Sequence, residues 1–237
     1  SDVYKRQLPV SSPYAKYIDF VSVMYDRISD KVKSTCLDKK IPVIISADHS
    51  NAGGTIAGLS KAYPNEKIGV VWIDAHADLH SPYTTPSGNI HGMPLATALA
   101  EDNTSSKLNE VDKNTIEKWE KLKGDSQRVM PEHIIFFGVR DTEKQEDELI
   151  ERLNMKIFSV SDVRENGEKK CVDETLNLLS DCDLIYVSLD VDSLDPEISD
   201  GTGTSVENGF KVTEVKKILS YLSNSSKFSC LEITDVN

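Results

Sequence analysis

The chain has 237 residues, enough for one domain with a sizeable buried core, and 38% of them are hydrophobic, ordinary for a soluble globular chain. A formal net charge of −12 argues against a nucleic-acid or anionic-membrane partner and is compatible with a small cationic substrate. Its four cysteines, Cys36, Cys171, Cys182 and Cys230, form no C-x-x-C pair, and no apolar run approaches membrane-spanning length, so reduced thiols in a cytoplasmic protein are expected.

The opening Ser1–Gln7 does not read as part of a fold and resembles translated adapter sequence, so residues 1–7 are treated as a non-native leader and residues 8–237 as a single domain. From Pro13 to about Lys33, Ile18, Val21, Tyr25, Ile28 and Val32 recur in steps of three and four, which predicts an amphipathic helix. Ile41–Ile45 reads as a buried strand ending in Ser46-Ala47-Asp48-His49-Ser50, followed by a small-residue helix to about Tyr63. A second strand, Ile68–Ile73, runs into Asp74-Ala75-His76-Ala77-Asp78-Leu79-His80. Residues 81–94 carry prolines, glycines and hydroxyls and read as an ordered loop holding Ser87, Asn89 and His91, which Pro94 ends by starting a helix to Ala100.

Residues 101–112 are polar and predict a surface loop, followed by a short helix, Asn114–Lys123. His133–Val139 reads as a strand with His133 on the edge away from the site, ending in Arg140-Asp141-Thr142-Glu143 and an acidic helix to about Leu153. Lys156–Val160 predicts a further strand and Lys169–Leu179 a helix. Leu184–Leu189 is again a buried strand ending in carboxylates two apart, Asp190 and Asp192, before Asp195-Pro196 breaks it. Gly201-Thr202-Gly203-Thr204 is a loop without the Lys-Ser/Thr of a phosphate loop; a helix, Val212–Leu222, and a strand, Phe228–Ile233, follow. Strands alternate with helices throughout, so the fold class is α/β: a largely parallel sheet between two helical layers.

Ligand sites in such sheets lie beyond the carboxyl ends of strands. His49, Asp74, His76, Asp78, Asp190 and Asp192 all fall at such ends. If the backbone stays extended past Ile73, Asp74, His76, Asp78 and His80 share one face. Taken alone, D-x-H-x-D could equally cap the next helix, and a lone His49 could be a structural hydrogen-bonder. Together, two imidazoles and four carboxylates exceed what one closed structural zinc takes and suit two hard or borderline divalent ions, manganese ahead of zinc. Such a pair can share a water and lower its pKa to give hydroxide at neutral pH, so the reaction class is metal-assisted hydrolysis.

Ala47–Ser50, Asp74–Asp78 and Ser188–Pro196, in that order, resemble the motifs of the arginase–agmatinase family of ureohydrolases, along nearly the whole length from Pro42 onward. Ser87–Pro94 and Gly201–Thr204 look more like the arginase branch. The resemblance implies an arginase-like three-layer αβα fold lacking the family's first strand and last helix, hence a fragment of a longer product. It also implies two Mn2+ per subunit, one held by His49 and Asp78, the other by His76 and Asp192, with Asp74 and Asp190 bridging. The shared hydroxide would attack the carbon of a cationic guanidino substrate, first of all L-arginine, to give L-ornithine and urea. His91 matches the proton-shuttling histidine; the catalytic assignment falls on it and on Asp78. Ser87 and Asn89 match positions that bind the substrate's amino-acid end. Four departures stand out: Ala47 for a glycine, His80 for an asparagine that contacts the substrate carboxylate, Glu143 for a shorter acid near the substrate amino group, and Asp235 for a glutamate facing the guanidinium. Agmatinase, formiminoglutamase, another guanidino-acid ureohydrolase and an inactive truncated chain are the alternatives, and a trimer or hexamer is expected of the full-length protein by analogy.

Overall fold

Six parallel strands form one sheet in the order β1-β6-β5-β2-β3-β4: β1 is Val43–Ile45, β2 Ile68–Ile73, β3 Ile134–Phe137, β4 Lys156–Phe158, β5 Leu184–Asp190 and β6 Phe228–Thr234. The structure is a computed structural model that describes Val10, residues 12–199 and residues 201–236. The expected leader, residues 1–7, lies outside the described residues. The helices are α1 Ile18–Leu37, α2 Asn51–Ala62, α3 Pro94–Leu99, α4 Lys113–Lys123, α5 Lys144–Arg152, α6 Val160–Asn166, α7 Glu168–Leu178 and α8 Val212–Ser223.

The two faces of the sheet bury separate cores because successive side chains on a strand alternate. On β2, Val70 and Trp72 pack with Ile56 and Leu59 of α2 and Leu149 of α5, whereas Val71 and Ile73 pack with Val172 of α7 and Ile218 of α8. On β5, Tyr186 joins the first face and Ile185, Val187 and Leu189 the second. β2 is buried at every position, which is why it reads as an unbroken apolar run in sequence. A third cluster sits outside α1, where Ile18, Tyr25, Trp119 and Leu122 meet. Strand β1 forms one edge of the sheet, and its Val43 and Ile45 are 66% and 74% exposed.

Several element boundaries differ from the sequence expectation, and local backbone chemistry accounts for those at α1, β3 and β4. The first helix begins at Ile18, because Tyr17 ahead of it takes a left-handed backbone with φ 60°. Strand β3 stops short of both His133, which lies in a 3-10 turn opened by Pro131, and Gly138, whose φ is 87°. Val160 belongs to a helix rather than to β4. Ser159 caps it reciprocally with Asp162, so the strand ends at Phe158 and α6 starts one residue after the cap. Among the described residues, no helix is long and apolar enough to cross a membrane.

Helices α1 and α2 lie close enough that small residues are required between them. A Cβ on Gly58 would fall 2.7 Å from the Val32 Cβ and 2.8 Å from the Ser29 carbonyl oxygen. Gly58→Ala therefore overpacks a rigid helix contact and is expected to cost about 1–3 kcal/mol. Urea unfolding followed by tryptophan fluorescence measures this as a lower midpoint; an unchanged midpoint contradicts the packing described.

Candidate metal centre

The site lies beyond the carboxyl ends of β1, β2, β5 and β6, on the face that carries Trp72 and Tyr186. His49 leaves the loop after β1 just before α2, and its ring stacks on Trp72 with centroids 3.9 Å apart and planes 7° from parallel. Its Nε2 is 2.7 Å from Ser188 Oγ on the neighbouring strand. Stack and hydrogen bond together fix the ring plane and leave Nδ1 facing the site.

Three carboxylates surround that nitrogen. Asp74 Oδ2 is 2.8 Å away, Asp78 Oδ2 3.1 Å and Asp190 Oδ2 3.2 Å. His76 Nδ1 makes a second centre, 3.0 Å from Asp192 Oδ2 and 3.4 Å from Asp74 Oδ1. Asp74 is thus shared, one oxygen facing each imidazole. Asp190, Asp192 and Asp235 bring carboxylate oxygens within 4.8 Å of one another and join the two centres on their other side. All six residues expected from sequence to act as ligands meet in one hollow.

The convergence is not that of a continued strand. The pleat stops at Ile73, and Asp74 and Asp78 reach the same hollow through turns. The Asp74 carboxylate accepts the His76 backbone N–H at 2.7 Å, and Asp190 accepts the Asp192 N–H at 2.8 Å in the same way. Asp78 takes a left-handed backbone with φ 52°, a conformation uncommon outside glycine that turns its side chain back toward His49. Gly138 makes room for this loop, since a Cβ there would lie 2.5 Å from the Phe210 ring and 3.4 Å from the Asp74 carbonyl oxygen.

Like charges this dense and this buried are untenable without protons or a cation. Burial first and the Asp74 charge second push Asp190 up to about 8 and Asp78 up to about 6. Burial works against a charged His76, but Asp192 and Asp74 outweigh it and raise its pKa to about 11. His49 is likewise raised well above its ordinary value by Asp190, Asp74 and Asp78, against its own burial. His49 Nδ1 and Asp74 Oδ2, although close, lack the alignment of a hydrogen bond and are otherwise unpartnered. The donor set fits cations. Octahedral bonds of about 2.1 Å set adjacent ligand atoms about 3 Å apart, which is the spacing around both imidazoles. Oxygen-rich donors with one imidazole at each centre suit a hard or borderline divalent cation.

The hollow opens into a cavity of about 360 Å³. His91 is exposed at its wall, with Ser87 exposed and Asn89 half-buried beside it. Lys16 Nζ donates to Asn89 Oδ1 at 3.3 Å. On another wall His80 is buried and both its ring nitrogens have protein partners: Nδ1 is 3.1 Å from Thr84 Oγ1, and Nε2 is 2.9 Å from Glu143 Oε2. Asp235 completes the lining, its backbone left-handed with φ 58°.

Sequence reasoning missed four participants. Glu146 is buried behind His80 and accepts the Leu79 N–H at 3.0 Å. Asp141 stands 3.7 Å from His76 Nε2. Thr204 donates to Asp192 Oδ2 at 3.0 Å. Arg140 directs its guanidinium at backbone carbonyls of Gly138, Asp192, Val206 and Glu207, stapling the 201–208 loop to the end of β5. Arg140 and Asp141 directly follow a strand, and that position was the available signal.

The Arginase family model matches residues 7–237. The arginase of Bacillus subtilis (strain 168) is 34% identical over 94% of this chain and 70% of its own length. The crystal structure of Bacillus caldovelox arginase superposes with a TM-score of 0.85 at 30% identity, covering 98% of this chain and 73% of that one. Entamoeba histolytica arginase in complex with L-ornithine gives 0.80 at 28% identity, covering 96% and 73%. The chain spans between 65% and 70% of the length of the first curated relatives it matches.

The protonated cluster makes a pH prediction. Unfolded carboxylates titrate near 4, so Asp78 and Asp190 bind more protons folded than unfolded across roughly pH 4 to 8. Their contribution to stability therefore falls as pH rises through that window. His76 acts in the same direction: its stabilisation is full below about 6.5 and is lost as pH climbs toward about 11. The thermal midpoint of metal-free protein is expected to drop by several degrees between about pH 5 and 9, while the gain from added Mn2+ grows, because the ion takes the deprotonated ligands. Differential scanning fluorimetry across pH checks both; a flat profile with no Mn2+ shift contradicts the cluster chemistry.

Proposed function

The chain belongs to the arginase family of ureohydrolases, hydrolases of amidine C–N bonds, and from that premise we propose that it hydrolyses L-arginine to L-ornithine and urea with two Mn2+. The observation that carries the reading is the Asp74 carboxylate set between two imidazole nitrogens, each with further carboxylates at about 3 Å. His49, Asp78, Asp74 and Asp190 would hold one ion, and His76 and Asp192 the other with the same two bridging acids. When bound, the ions lower the pKa of a water between them.

The protein's own groups do the rest. A guanidinium stays protonated at any working pH. Asp235 and the ligand carboxylates offset its charge and orient its carbon toward the hollow. Expulsion of the amine needs a proton, and His91, an imidazole exposed at the cavity wall, delivers it and recovers one from solvent. Ser87 and Asn89 hold the amino-acid end. The L-ornithine in the Entamoeba relative's complex agrees with that product. The reading places the protein in the cytoplasm, in keeping with four unpaired, buried cysteines.

A second reading, a guanidino substrate without the α-carboxylate, is favoured by one feature. Both His80 nitrogens are engaged by Thr84 and Glu143, which leaves no ring N–H free for a substrate carboxylate. A urea-release assay with Mn2+ over L-arginine and agmatine separates the two. L-Arginine is expected to lead in kcat/KM; agmatine leading supports the second reading, and urea from neither overturns both. His91→Ala is expected to lower kcat by about 10²–10⁴ with Mn2+ uptake retained. A loss below tenfold contradicts the role given to His91.

A further inference from the structure

Behind the site, a line of buried polar groups runs down one face of the sheet into its core. Trp72, Ser188 and Glu232 lie side by side on β2, β5 and β6 in the parallel register, and Tyr186 precedes Ser188 by two residues on the same face of β5. Glu232 is wholly buried, yet no lysine or arginine pairs with it among the described residues. Its Oε2 accepts the Tyr186 hydroxyl at 3.0 Å, and its other oxygen accepts the Ser46 hydroxyl. The Tyr186 and Ser188 side chains share that face of β5 within reach of one another, and Ser188 Oγ is the group that meets His49 Nε2.

The hydrogens on this line can be ordered in one direction. A carboxylate only accepts. Tyr186 has one hydroxyl proton and gives it to Glu232, so its oxygen accepts from Ser188. Ser188 has one proton and gives it to Tyr186, so its oxygen accepts from His49 Nε2–H. His49 then has its Nδ1 lone pair free toward the carboxylates. Burial raises the Tyr186 phenol well above its ordinary pKa, which keeps its proton in place.

We propose that Glu232 is a positioning residue for the metal centre, acting through Tyr186 and Ser188 to hold His49 in the tautomer whose Nδ1 can bind an ion. The inference rests on the metal reading above. Ligating histidines commonly donate their other N–H directly to a carboxylate or carbonyl. Here two hydroxyls stand between ring and carboxylate, so the acid lies in the core and adds no charge to an already crowded hollow. Tyr186→Phe deletes the acceptor for the Ser188 proton and lets Ser188 donate to Nε2, which moves the imidazole proton to Nδ1. Glu232→Gln presents an amide N–H where Tyr186 needs an acceptor and allows the same reversal at almost unchanged shape.

The test is a calorimetric titration of the whole chain with Mn2+, in wild-type protein and both variants. Wild-type protein is expected to show two binding steps. Each variant is expected to weaken one step by about 10–100-fold, the scale of lost outer partners of metal ligands, and to leave the step of the His76–Asp192 ion nearly unchanged. A second readout uses diamagnetic Zn2+ with 15N-labelled histidine: the His49 Nε2–H resonance of wild-type protein is expected to be lost or strongly shifted in both variants. Should Tyr186→Phe fail to fold, the nearly isosteric Glu232→Gln carries the decision. Folded variants with both steps and the resonance unchanged overturn the inference alone. Wild-type protein that takes up no Mn2+ overturns the metal reading and the inference with it.

Discussion

One carboxylate shared by two imidazoles governs this molecule. Asp74 sits at the end of the most buried strand with one oxygen toward His49 and the other toward His76. Around it the chain brings more negative charge than buried protein tolerates unless protons or cations offset it. Much of the surrounding structure serves to keep those charges from moving apart. Trp72 clamps the His49 ring, Asp78 accepts a left-handed backbone, and Arg140 ties the loop bearing Thr204 to the backbone at Asp192. A first ligand group left to find its own geometry would lose the strained arrangement that makes it a site.

The sheet does a second job besides holding strand ends together. Because side chains alternate, β2 and β5 each devote one face to an apolar core under α7 and α8 and the other to a face that turns from apolar to polar toward the site. Along β5 this transition runs Tyr186, Ser188, Asp190, from core to hollow in single pleat steps. The strand is therefore at once a structural member and the route by which groups in the core act on the ligands above. Parallel register places Glu232 and Trp72 on either side of Ser188, so contacts between adjacent strands, not loops, orient His49.

The sheet was legible in the sequence because strands buried on both faces are apolar runs punctuated by polar strand ends. β2 and β5 stand out for that reason, and the α/β alternation made the parallel topology follow. The residues that line the hollow were legible as a group because two pairs of carboxylates and two imidazoles occur at strand ends far apart in the chain. What was not legible came from short-range competition and from long-range contact. Val160 fits an apolar strand until Ser159 captures the backbone as a helix cap, a local hydrogen bond that apolar periodicity does not register. The spacing of Asp74, Asp78 and His80 imitates a pleat, whereas turns bring the side chains round. His80 and Glu143 read as two separate substrate contacts, but 63 residues of separation conceal that they bond to each other. Glu146 and Thr204 carried no signal because their roles depend on which loops meet, and Arg140 shows its function only once carbonyls from three chain segments surround it.

Two ions filling the space between these side chains would balance the charge gathered there. Crystals of the chain grown with Mn2+ and measured at the manganese absorption edge test this directly. Two anomalous peaks are predicted, one bounded by His49 Nδ1, Asp74, Asp78 and Asp190, the other by His76 Nδ1, Asp74 and Asp192. Absence of anomalous density there, with the carboxylates drawn together by shared protons or spread into solvent, would contradict it.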